Sequence, residues 1–525
     1  MPSFLFPSRL YVAVVVGLAA LFALTLYGRI VYFDDGWSAE QSYWLLHGGR
    51  VRSEFFRGID GVENQNFVYH KGFIYVQAAV MSVLGAGVYA AKATALFFGL
   101  LGLGLLLRYF RAPQPAEARW LAAALYLGCG TLVLFGFNSR PETLVMCCGF
   151  GSYSLLRRPE VGAGRRALAA VLAGAAVIVH LNGLIYLAAG FLWLWSRRGA
   201  RAAVGFGLAG GLTASLYLLD AVAAGQLAQF WRQFTHYPEM QSNHHWASKL
   251  QVLIDYQHLF FHSEGEAPLT GLLLVVVALT LTLTKRRPTP PPAANPAGST
   301  GSAIPARGPR LTPALHYLLL LVGAMWLLTK SDSAFYFLLF LPFMVVVVVE
   351  LSLGALPQLP PWRRQLLRLA FALYPIGSIL RAYNLVQESR AYPRAEVENA
   401  RLAAHMPRHG GRIIAPLDFM FGQIGNYRMR SLTYFAYLNA DRYAGQLPVA
   451  DFFQLALQDS AQYVVTDFRV WNHVYHVPPT APARIGRYQR VYQDQWHSVY
   501  ARQPGRRNQQ VPTPPRQLEL SLSPL

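Results

Sequence analysis

The sequence predicts an all-α protein that crosses a membrane many times and ends in a small α+β domain. Three observations favour this fold class. Of the 525 residues, 54% are hydrophobic and only 14% are charged, a balance foreign to soluble domains of this length. Apolar stretches of roughly 16 to 22 residues, long enough to cross a hydrocarbon core as helices, recur through the first three quarters of the chain. The last quarter has a mixed composition.

The apolar stretches predict about eleven membrane-spanning helices. The first stretch is not followed by a small-residue cleavage site, so we expect it to be retained as the first span. The predicted spans are residues 10–27, 89–107, 120–137, 143–156, 167–179, 183–195, 202–224, 269–284, 312–328, 334–351 and 366–380.

The positions of arginine and lysine predict the orientation of these helices, because short loops rich in these residues stay in the cytoplasm. Five alternate loops are cationic: Arg108, Arg111 and Arg119; Arg157, Arg158, Arg165 and Arg166; Arg197, Arg198 and Arg201; Lys285, Arg286 and Arg287; Arg363, Arg364 and Arg368. We therefore expect a cytoplasmic N-terminus, with residues 28–88, 226–267 and the segment after 381 outside. This distribution explains the net charge of +20 without a nucleic-acid partner.

The predicted domain organisation has three parts. Residues 1–382 form the transmembrane domain, in which the Pro-rich stretch 287–310 is a cytoplasmic linker. Residues 383–502 form the outer α+β domain. Residues 503–525 contain several prolines and no apolar periodicity, so we expect a disordered tail.

Within the outer domain, local patterns predict individual elements. Residues 412–415 and 463–467 are typical of short β-strands, and residues 450–457 have helical periodicity. No internal repeat is evident in the sequence.

No metal site or cofactor is predicted. Cys129, Cys147 and Cys148 lie inside apolar stretches, with neither a disulfide framework nor metal-binding spacing. His258 and His262 share a helical face at i and i+4, but no further ligands accompany them. Whether a metal is required stays open.

An acidic pair, Asp34 and Asp35, follows the first span directly and opens a short juxtamembrane helix that ends at Gly48 or Gly49. One interpretation is that a carboxylate caps this helix and complements its dipole. The other is that two carboxylates at the mouth of a membrane cavity act as a general base or hold a cation. Both interpretations stay open on the residues alone.

Further along the first outer loop, Tyr69, His70, Lys71 and Tyr75 begin an apolar stretch that is too short to span the membrane. We expect interfacial helices in this loop. Lys92 follows near the start of the second span. A lysine at the water–lipid boundary is either an anchor that reaches the headgroups or, as one of a pair, a clamp for a lipid phosphate.

Other polar groups lie in short turns on the same predicted side. Arg140 and Glu142 form either a structural ion pair or part of a site. His180 and Asn182 serve either helix packing or substrate binding. Lys330, in the last outer turn, is a membrane anchor, a phosphate partner or the ion-pair partner of a neighbouring acid. The charge-based topology places all of these groups on the outer side.

The order of these motifs resembles that of the GT-C superfamily of membrane glycosyltransferases, especially protein O-mannosyltransferases and lipid A aminoarabinose transferases. That branch has a Tyr-Phe-Asp-Glu-like motif after the first helix, a small helix ending in Leu-Leu-x-Gly, and turns of the Arg-Pro-Glu and His-x-Asn-Gly kind. The matching segments here are 32–35, 43–48, 71–75, 84–85 with Lys92, 139–142 and 180–183. Asp35, Gly72 and Lys92 replace the branch's usual Glu, Pro and Arg. The resemblance covers roughly residues 10–351.

The resemblance implies an inverting transferase that moves a sugar from a polyprenyl-phosphate donor to a protein, lipid or glycan outside a bacterial inner membrane. It implies that Asp34 is the catalytic base and that Asp35 supports acceptor or metal binding. The implied donor-phosphate ligands are Lys71, Lys92, Arg140 and Lys330. The implied substrate-binding residues are Tyr69, His70, Tyr75, Glu142, His180 and Asn182.

Two other functions stay open. A transporter or flippase for a lipid-linked saccharide would require polar groups and broken helices near the middle of the membrane. A non-catalytic membrane scaffold would use the acidic pair only as a helix cap and the C-terminal domain as its working part.

Overall fold

The computed structural model describes residues 7–111, 114–158, 162–236, 254–255, 257–284, 312–328, 333–406, 409–469 and 474–504. The chain divides into two compact units. The first comprises Met1–Ala400 with Leu417–Ile424, and the second comprises Arg401–Pro416 with Gly425–Leu525. The predicted linker 287–310, Lys330 and most of the predicted tail lie outside the described residues.

The first unit is built from helices, because a chain in hydrocarbon must satisfy its backbone hydrogen bonds within each segment. The first eight are α1 Ser8–Leu26, α2 Phe33–Gly48, α3 Lys71–Leu84, α4 Val88–Tyr109, α5 Ala116–Leu127, α6 Gly130–Phe135, α7 Glu142–Leu156 and α8 Ala163–Val179. The next nine are α9 Leu184–Arg198, α10 Ala200–Ser215, α11 Leu219–Ala223, α12 Leu227–His236, α13 Ala267–Thr284, α14 Pro313–Leu328, α15 Leu341–Ala355, α16 Pro361–Leu373 and α17 Ile376–Ala391.

Every predicted span overlaps at least one helix. Within the described residues, five helical stretches are long and apolar enough to cross a membrane: Ser8–Leu26, Val88–Tyr109, Ala200–Ala223, Leu341–Gln358 and Pro361–Ala403. The structure supports a multi-pass helical protein in this coarse form.

Some predicted spans are interrupted. The span 120–137 divides into α5 and α6 around Gly128 and Cys129. A Cβ on Gly128 would lie 2.7 Å from the Ala124 carbonyl oxygen and 2.8 Å from the ring of Tyr374, so this tightly packed break requires glycine. The span 366–380 likewise divides before Pro375, between α16 and α17.

Helices α2 and α3 form the scaffold of the loop between α1 and α4. Helix α2 has 16 residues and α3 has 14, and the two pack against each other. On its other side, α2 meets the short 3₁₀ helix Leu417–Met420 at Gly36, where an added Cβ would lie 2.5 Å from the Leu417 carbonyl oxygen. This close approach fixes the first turn of α2, which carries the acidic pair.

The second unit contains a six-stranded sheet. Its strands are β1 Arg412–Ala415, β2 Arg428–Ser431, β3 Tyr463–Asp467, β4 Arg484–Ile485, β5 Tyr488–Gln493 and β6 His497–Arg502, in the order β2-β1-β3-β6-β5-β4. Strand β1 pairs in parallel with β2 and β3, and the other pairs are antiparallel. Ile413 pairs with Met429 and Tyr463.

Helices Ala395–Ala403, Leu432–Arg442 and Val449–Gln458 are numbered α18 to α20. Phe435, Phe452 and Phe453 form the centre of the second unit's apolar core. The predicted strands 412–415 and 463–467 and the predicted helix 450–457 are confirmed. The expected domain boundary after residue 382 falls inside α17, and the second unit starts instead at Arg401.

Candidate active site

The second acid of the pair, Asp35, is fully buried and ties three segments together. Its Oδ2 accepts a hydrogen bond of 2.7 Å from the backbone N–H of Tyr32, which completes a capping box at the start of α2. Its Oδ1 accepts a hydrogen bond of 2.5 Å from the backbone N–H of Ser139. The ammonium of Lys92, on α4, lies 3.0 Å from Oδ2. Asp35 therefore fulfils the helix-cap interpretation and also holds a buried cation.

The first acid, Asp34, contacts the turn before α7. Arg140 Nη1 donates to Asp34 Oδ2, while its Nε and Nη2 donate to the two carboxylate oxygens of Glu142 at 3.1 and 2.9 Å. The guanidinium carbon lies 3.3 Å from the centre of the Phe335 ring. Burial opposes the charge of Arg140, yet Glu142 raises the guanidinium pKa above its usual value.

The ion pairs made by Asp34 and Asp35 form one charged group at one end of the helical unit. It contains three carboxylates and two cations. All five side chains are at least nine-tenths buried. In such an environment, electrostatic interactions are much stronger than in water.

A row of stacked rings lines the neighbouring surface. Trp37 stacks on Tyr69 with centroids 4.8 Å apart, and Tyr69 contacts His70 at 3.9 Å. His70 stacks on His180 at 4.4 Å, and His180 meets the edge of Tyr336 at 5.9 Å. The row joins α2, the start of α3, the end of α8 and the 3₁₀ helix Ala334–Leu339.

Both histidines of this row are held neutral near pH 7. Burial lowers the pKa of His180 to about 4, with Glu142 opposing this shift and Arg140 adding to it. Burial, followed by the neighbouring His180, lowers the pKa of His70 well below its usual value. Nδ1 of His180 accepts a hydrogen bond of 2.9 Å from the backbone N–H of Asn182, which requires that nitrogen to be unprotonated.

Lys71 has different partners from Lys92. As the first residue of α3, it donates to the Tyr217 carbonyl oxygen at 2.7 Å and to Asp220 Oδ1 at 2.6 Å. Burial lowers the pKa of Lys71, and Asp220 opposes that shift. These contacts use two of the three N–H donors of the ammonium.

The structure therefore differs from the expected phosphate clamp formed by Lys71 and Lys92. Lys92 donates to the Ile30 carbonyl oxygen at 2.7 Å and pairs with Asp35, whereas Lys71 pairs with Asp220. The two lysines are held in separate ion pairs. Burial within the helix bundle makes Lys92 a counter-ion to Asp35 in this structure.

The other predicted site residues are distributed around these groups. Tyr75 is 53% exposed and lies one helical turn after Lys71. Glu142 begins α7 and pairs with Arg140. Asn182 contributes its backbone N–H to the His180 ring. Lys330 lies outside the described residues.

Sequence reasoning missed two polar residues that support the site. Asp220 lies within the predicted span 202–224, and a carboxylate in such a span was a signal for a buried partner. Gln77 lies in the apolar helix α3, where its amide donates to the Ala91 carbonyl oxygen at 3.1 Å and to the Ser139 hydroxyl. It thereby fixes the same turn that contacts Asp35.

The geometry supplies the elements of a group-transfer site. Asp34 is a carboxylate of the kind that accepts a proton from an attacking hydroxyl group. Arg140 and Lys71 are fixed cations near the same end of the unit, and fixed cations stabilise negative charge that develops on a leaving phosphate. The aromatic row provides flat apolar faces beside these charges.

The chain is similar to solved structures of membrane glycosyltransferases. ArnT from Cupriavidus metallidurans in the apo state matches with a TM-score of 0.60 and 15% identity, over 94% of this chain and 97% of that one. The same enzyme bound to undecaprenyl phosphate matches with a TM-score of 0.58 and 14% identity, over 94% and 98%. The oligosaccharyltransferase AglB from Archaeoglobus fulgidus, in complex with an inhibitory peptide and a dolichol-phosphate, matches with a TM-score of 0.50 and 11% identity, over 87% and 69%.

No protein-family model matches the chain, and the comparison with curated proteins gives no match. The structural likeness extends over nearly the full length of ArnT. The chain therefore shares the fold of these solved glycosyltransferase structures.

Proposed function

We propose that this protein is a glycosyltransferase that moves a sugar from a polyprenyl-phosphate donor to an acceptor on the outer side of a bacterial inner membrane. The observation that carries the proposal is the contact between Asp34 and Arg140 in the turn before α7. It places a proton acceptor next to a fixed cation, the pair that transfer from a phosphate requires. The undecaprenyl phosphate of ArnT and the dolichol-phosphate of AglB support a lipid-phosphate donor.

In this proposal Asp34 takes the proton of the acceptor hydroxyl. The acceptor oxygen forms a bond to the anomeric carbon of the sugar while the bond from that carbon to the phosphate oxygen breaks, and the lipid phosphate departs with the electron pair. A single displacement, in which the acceptor oxygen attacks opposite the departing phosphate, inverts the configuration of that carbon. Arg140 holds Asp34 in place.

Lys71 and Arg140 bind the phosphate of the donor. Lys71 exchanges Asp220 for the phosphate, since an ammonium accepts either anion as a point-charge partner. Asp35, Lys92 and the turn at Ser139 act as positioning residues, because their mutual contacts fix the first turn of α2. His70 and His180, both neutral, lie in the aromatic row beside the sugar.

A transfer assay with the full-length chain in detergent tests the proposal. The probe is an undecaprenyl-phosphate sugar carrying a radiolabel, and the measured quantity is release of undecaprenyl phosphate together with the labelled product. Asp34→Asn removes the base and keeps the side-chain shape, so we expect turnover to fall by about 100-fold or more. Glu63→Gln, which removes a carboxylate from the same outer loop, is the matched control and should retain turnover. Wild-type turnover in Asp34→Asn would overturn the assignment of the base.

The broken span around Gly128 favours a second candidate, a flippase for a lipid-linked saccharide, because interrupted helices are typical of transporters. The two functions have different products. A flippase leaves the bond between sugar and phosphate intact, whereas a transferase breaks it. Intact donor recovered after incubation with the protein and candidate acceptors, together with movement of that donor across vesicle membranes, would favour the flippase.

A further inference from the structure

A cavity lies away from the acidic group, where the first turns of α8 and α10 meet the end of α9. Its volume is about 400 Å³, within the range of roughly 300–1,000 Å³ typical of small-ligand sites. Three arginines line it, Arg166, Arg198 and Arg201, above apolar walls that include Phe206 and Ala209. None of the described residues that line it is acidic.

The cavity exists because α8 and α10 touch at Gly174 and Gly210 but separate towards the first residues of both helices. A Cβ on Gly174 would lie 2.4 Å from the carbonyl oxygen of Gly210, so the two backbones are in direct contact there. Towards the start of both helices small residues leave space between them, and a Cβ on Gly205 would meet nothing within 4 Å. From Arg201 to Ala209 the cavity follows α10 for eight residues, about 12 Å at helical rise.

This cavity lies at the opposite end of α8 from the candidate active site. His180 follows the last residue of α8, whereas Arg166 lies in its first turn. The two residues are fourteen positions apart, a separation of about 21 Å at helical rise. The loops that carry the three arginines are also among those predicted to be cytoplasmic. The cavity is therefore a site of its own.

We propose that this cavity binds an anionic phospholipid of the cytoplasmic leaflet. The three guanidinium groups hold the headgroup phosphate, since arginine pairs with phosphate through two parallel hydrogen bonds. An acyl chain follows the wall formed by Phe206 and Ala209. Basic pockets between transmembrane helices on the cytoplasmic side are suited to such headgroups.

The surface next to the cavity identifies the source of the phosphate as a lipid. Leu208 and Leu212, on the outward face of α10, are 70% and 74% exposed, and Val204 on the same helix is 46% exposed. These side chains continue the apolar wall along the helix. A ligand that joins an anionic head to hydrocarbon chains satisfies both the arginines and this surface, whereas a free phosphate satisfies only the arginines.

Native mass spectrometry of the purified full-length chain in detergent tests the proposal, with titration of phosphatidylglycerol, cardiolipin and phosphatidylcholine. We expect the anionic lipids to bind at least tenfold more tightly than phosphatidylcholine. Arg166→Ala/Arg198→Ala should abolish that preference. The matched control is Arg165→Ala/Arg197→Ala, which removes the same charge from the same two loops but not from the cavity, and its preference should change less than threefold.

A second pair of variants tests the apolar part of the cavity while keeping every arginine. Gly205→Phe projects a ring into the open space, and Gly211→Phe places the same ring on α10 at a position that does not line the cavity. Only Gly205→Phe should weaken binding of phosphatidylglycerol, by tenfold or more. Equal losses in both arginine double variants would show surface attraction alone and overturn the proposal, as would unchanged binding in Gly205→Phe.

Discussion

The ammonium of Lys92 lies 3.0 Å from Oδ2 of Asp35, and neither side chain is more than 1% exposed. A buried ion pair contributes little to stability compared with an apolar pair, but removal of one partner leaves the other charge unpaired at a cost of roughly 3–5 kcal/mol. This pair connects α4 to the first turn of α2, where the acidic pair lies.

We therefore expect Lys92→Met to lower the unfolding temperature strongly, because Asp35 would stay buried without its cation. Asp35→Asn/Lys92→Met removes both charges and should recover most of the lost stability. Thermal unfolding of the detergent-solubilised protein, followed by intrinsic fluorescence, measures both effects. A double variant as unstable as Lys92→Met would contradict the role assigned to this pair.

Gly36 provides a test of how closely α2 must approach the segment Leu417–Ile424. Gly36→Ala would place a methyl group 2.5 Å from the Leu417 carbonyl oxygen, so α2 and that segment must move apart, which disturbs the turn that carries Asp34. We expect sugar transfer to fall by about tenfold or more, since small displacements of catalytic groups reduce rates greatly.

Gly48→Ala is the matched control for Gly36, because it lies in the same helix and its Cβ would meet nothing within 4 Å. Activity in this variant should be unchanged and stability slightly increased, since alanine is the better helix former. Similar activities for Gly36→Ala and Gly48→Ala would show that the close approach does not position the acid.

The pairing of Lys71 with Asp220 predicts opposite effects for two substitutions. Lys71→Met should raise the KM for the lipid-phosphate donor by about tenfold, the equivalent of one charge-assisted hydrogen bond. Asp220→Asn removes the carboxylate that competes with phosphate for the ammonium, so the donor KM should fall or stay constant. Steady-state kinetics with each substrate varied in turn provides the measurement.

The same pairing predicts a pH dependence of donor binding. Burial lowers the pKa of Lys71 and Asp220 opposes that shift, so the ammonium loses its proton as the pH rises, and earlier in Asp220→Asn. Donor KM should therefore increase towards alkaline pH, with the increase displaced to lower pH in Asp220→Asn. If Lys71→Met raised the donor and acceptor KM values equally, the lysine would have a structural role.

Glu40 makes the stability of the loop between α1 and α4 depend on pH. One of its oxygens accepts from Trp44 Nε1, Glu54 N and Phe55 N, while the other lies 2.6 Å from the Ser53 hydroxyl. Burial raises the pKa of Glu40 to about 7. The protonated acid can donate to Ser53, whose hydroxyl oxygen can accept.

Because the pKa of Glu40 is higher in the folded chain than in the unfolded chain, its contribution to stability is complete below about pH 4.5 and is lost as the pH rises through about 7. The difference corresponds to about 3 kcal/mol. Glu40→Gln keeps the shape of all four contacts but cannot ionise. Between pH 5 and 8, the unfolding temperature should fall less in Glu40→Gln than in the wild type. Parallel curves would contradict this role for Glu40.

The sequence by itself determined the helical membrane architecture, the strands β1 and β3, and the clustering of polar residues in a few turns. In hydrocarbon, each spanning segment must be apolar and must form its backbone hydrogen bonds within itself. This rule concerns local sequence only. Such a rule can be applied to one segment at a time, and so can the preference of short runs rich in β-branched residues for strands.

The tertiary structure alone decided which charges pair. Asp34 contacts Arg140 across 106 positions of sequence, and Lys71 reaches Asp220 across 149. No local pattern contains such pairings, because they depend on which helices pack side by side. For the same reason the sequence grouped Lys71 with Lys92, whereas the packed bundle gives each lysine its own carboxylate and leaves Asp34 to face the arginine.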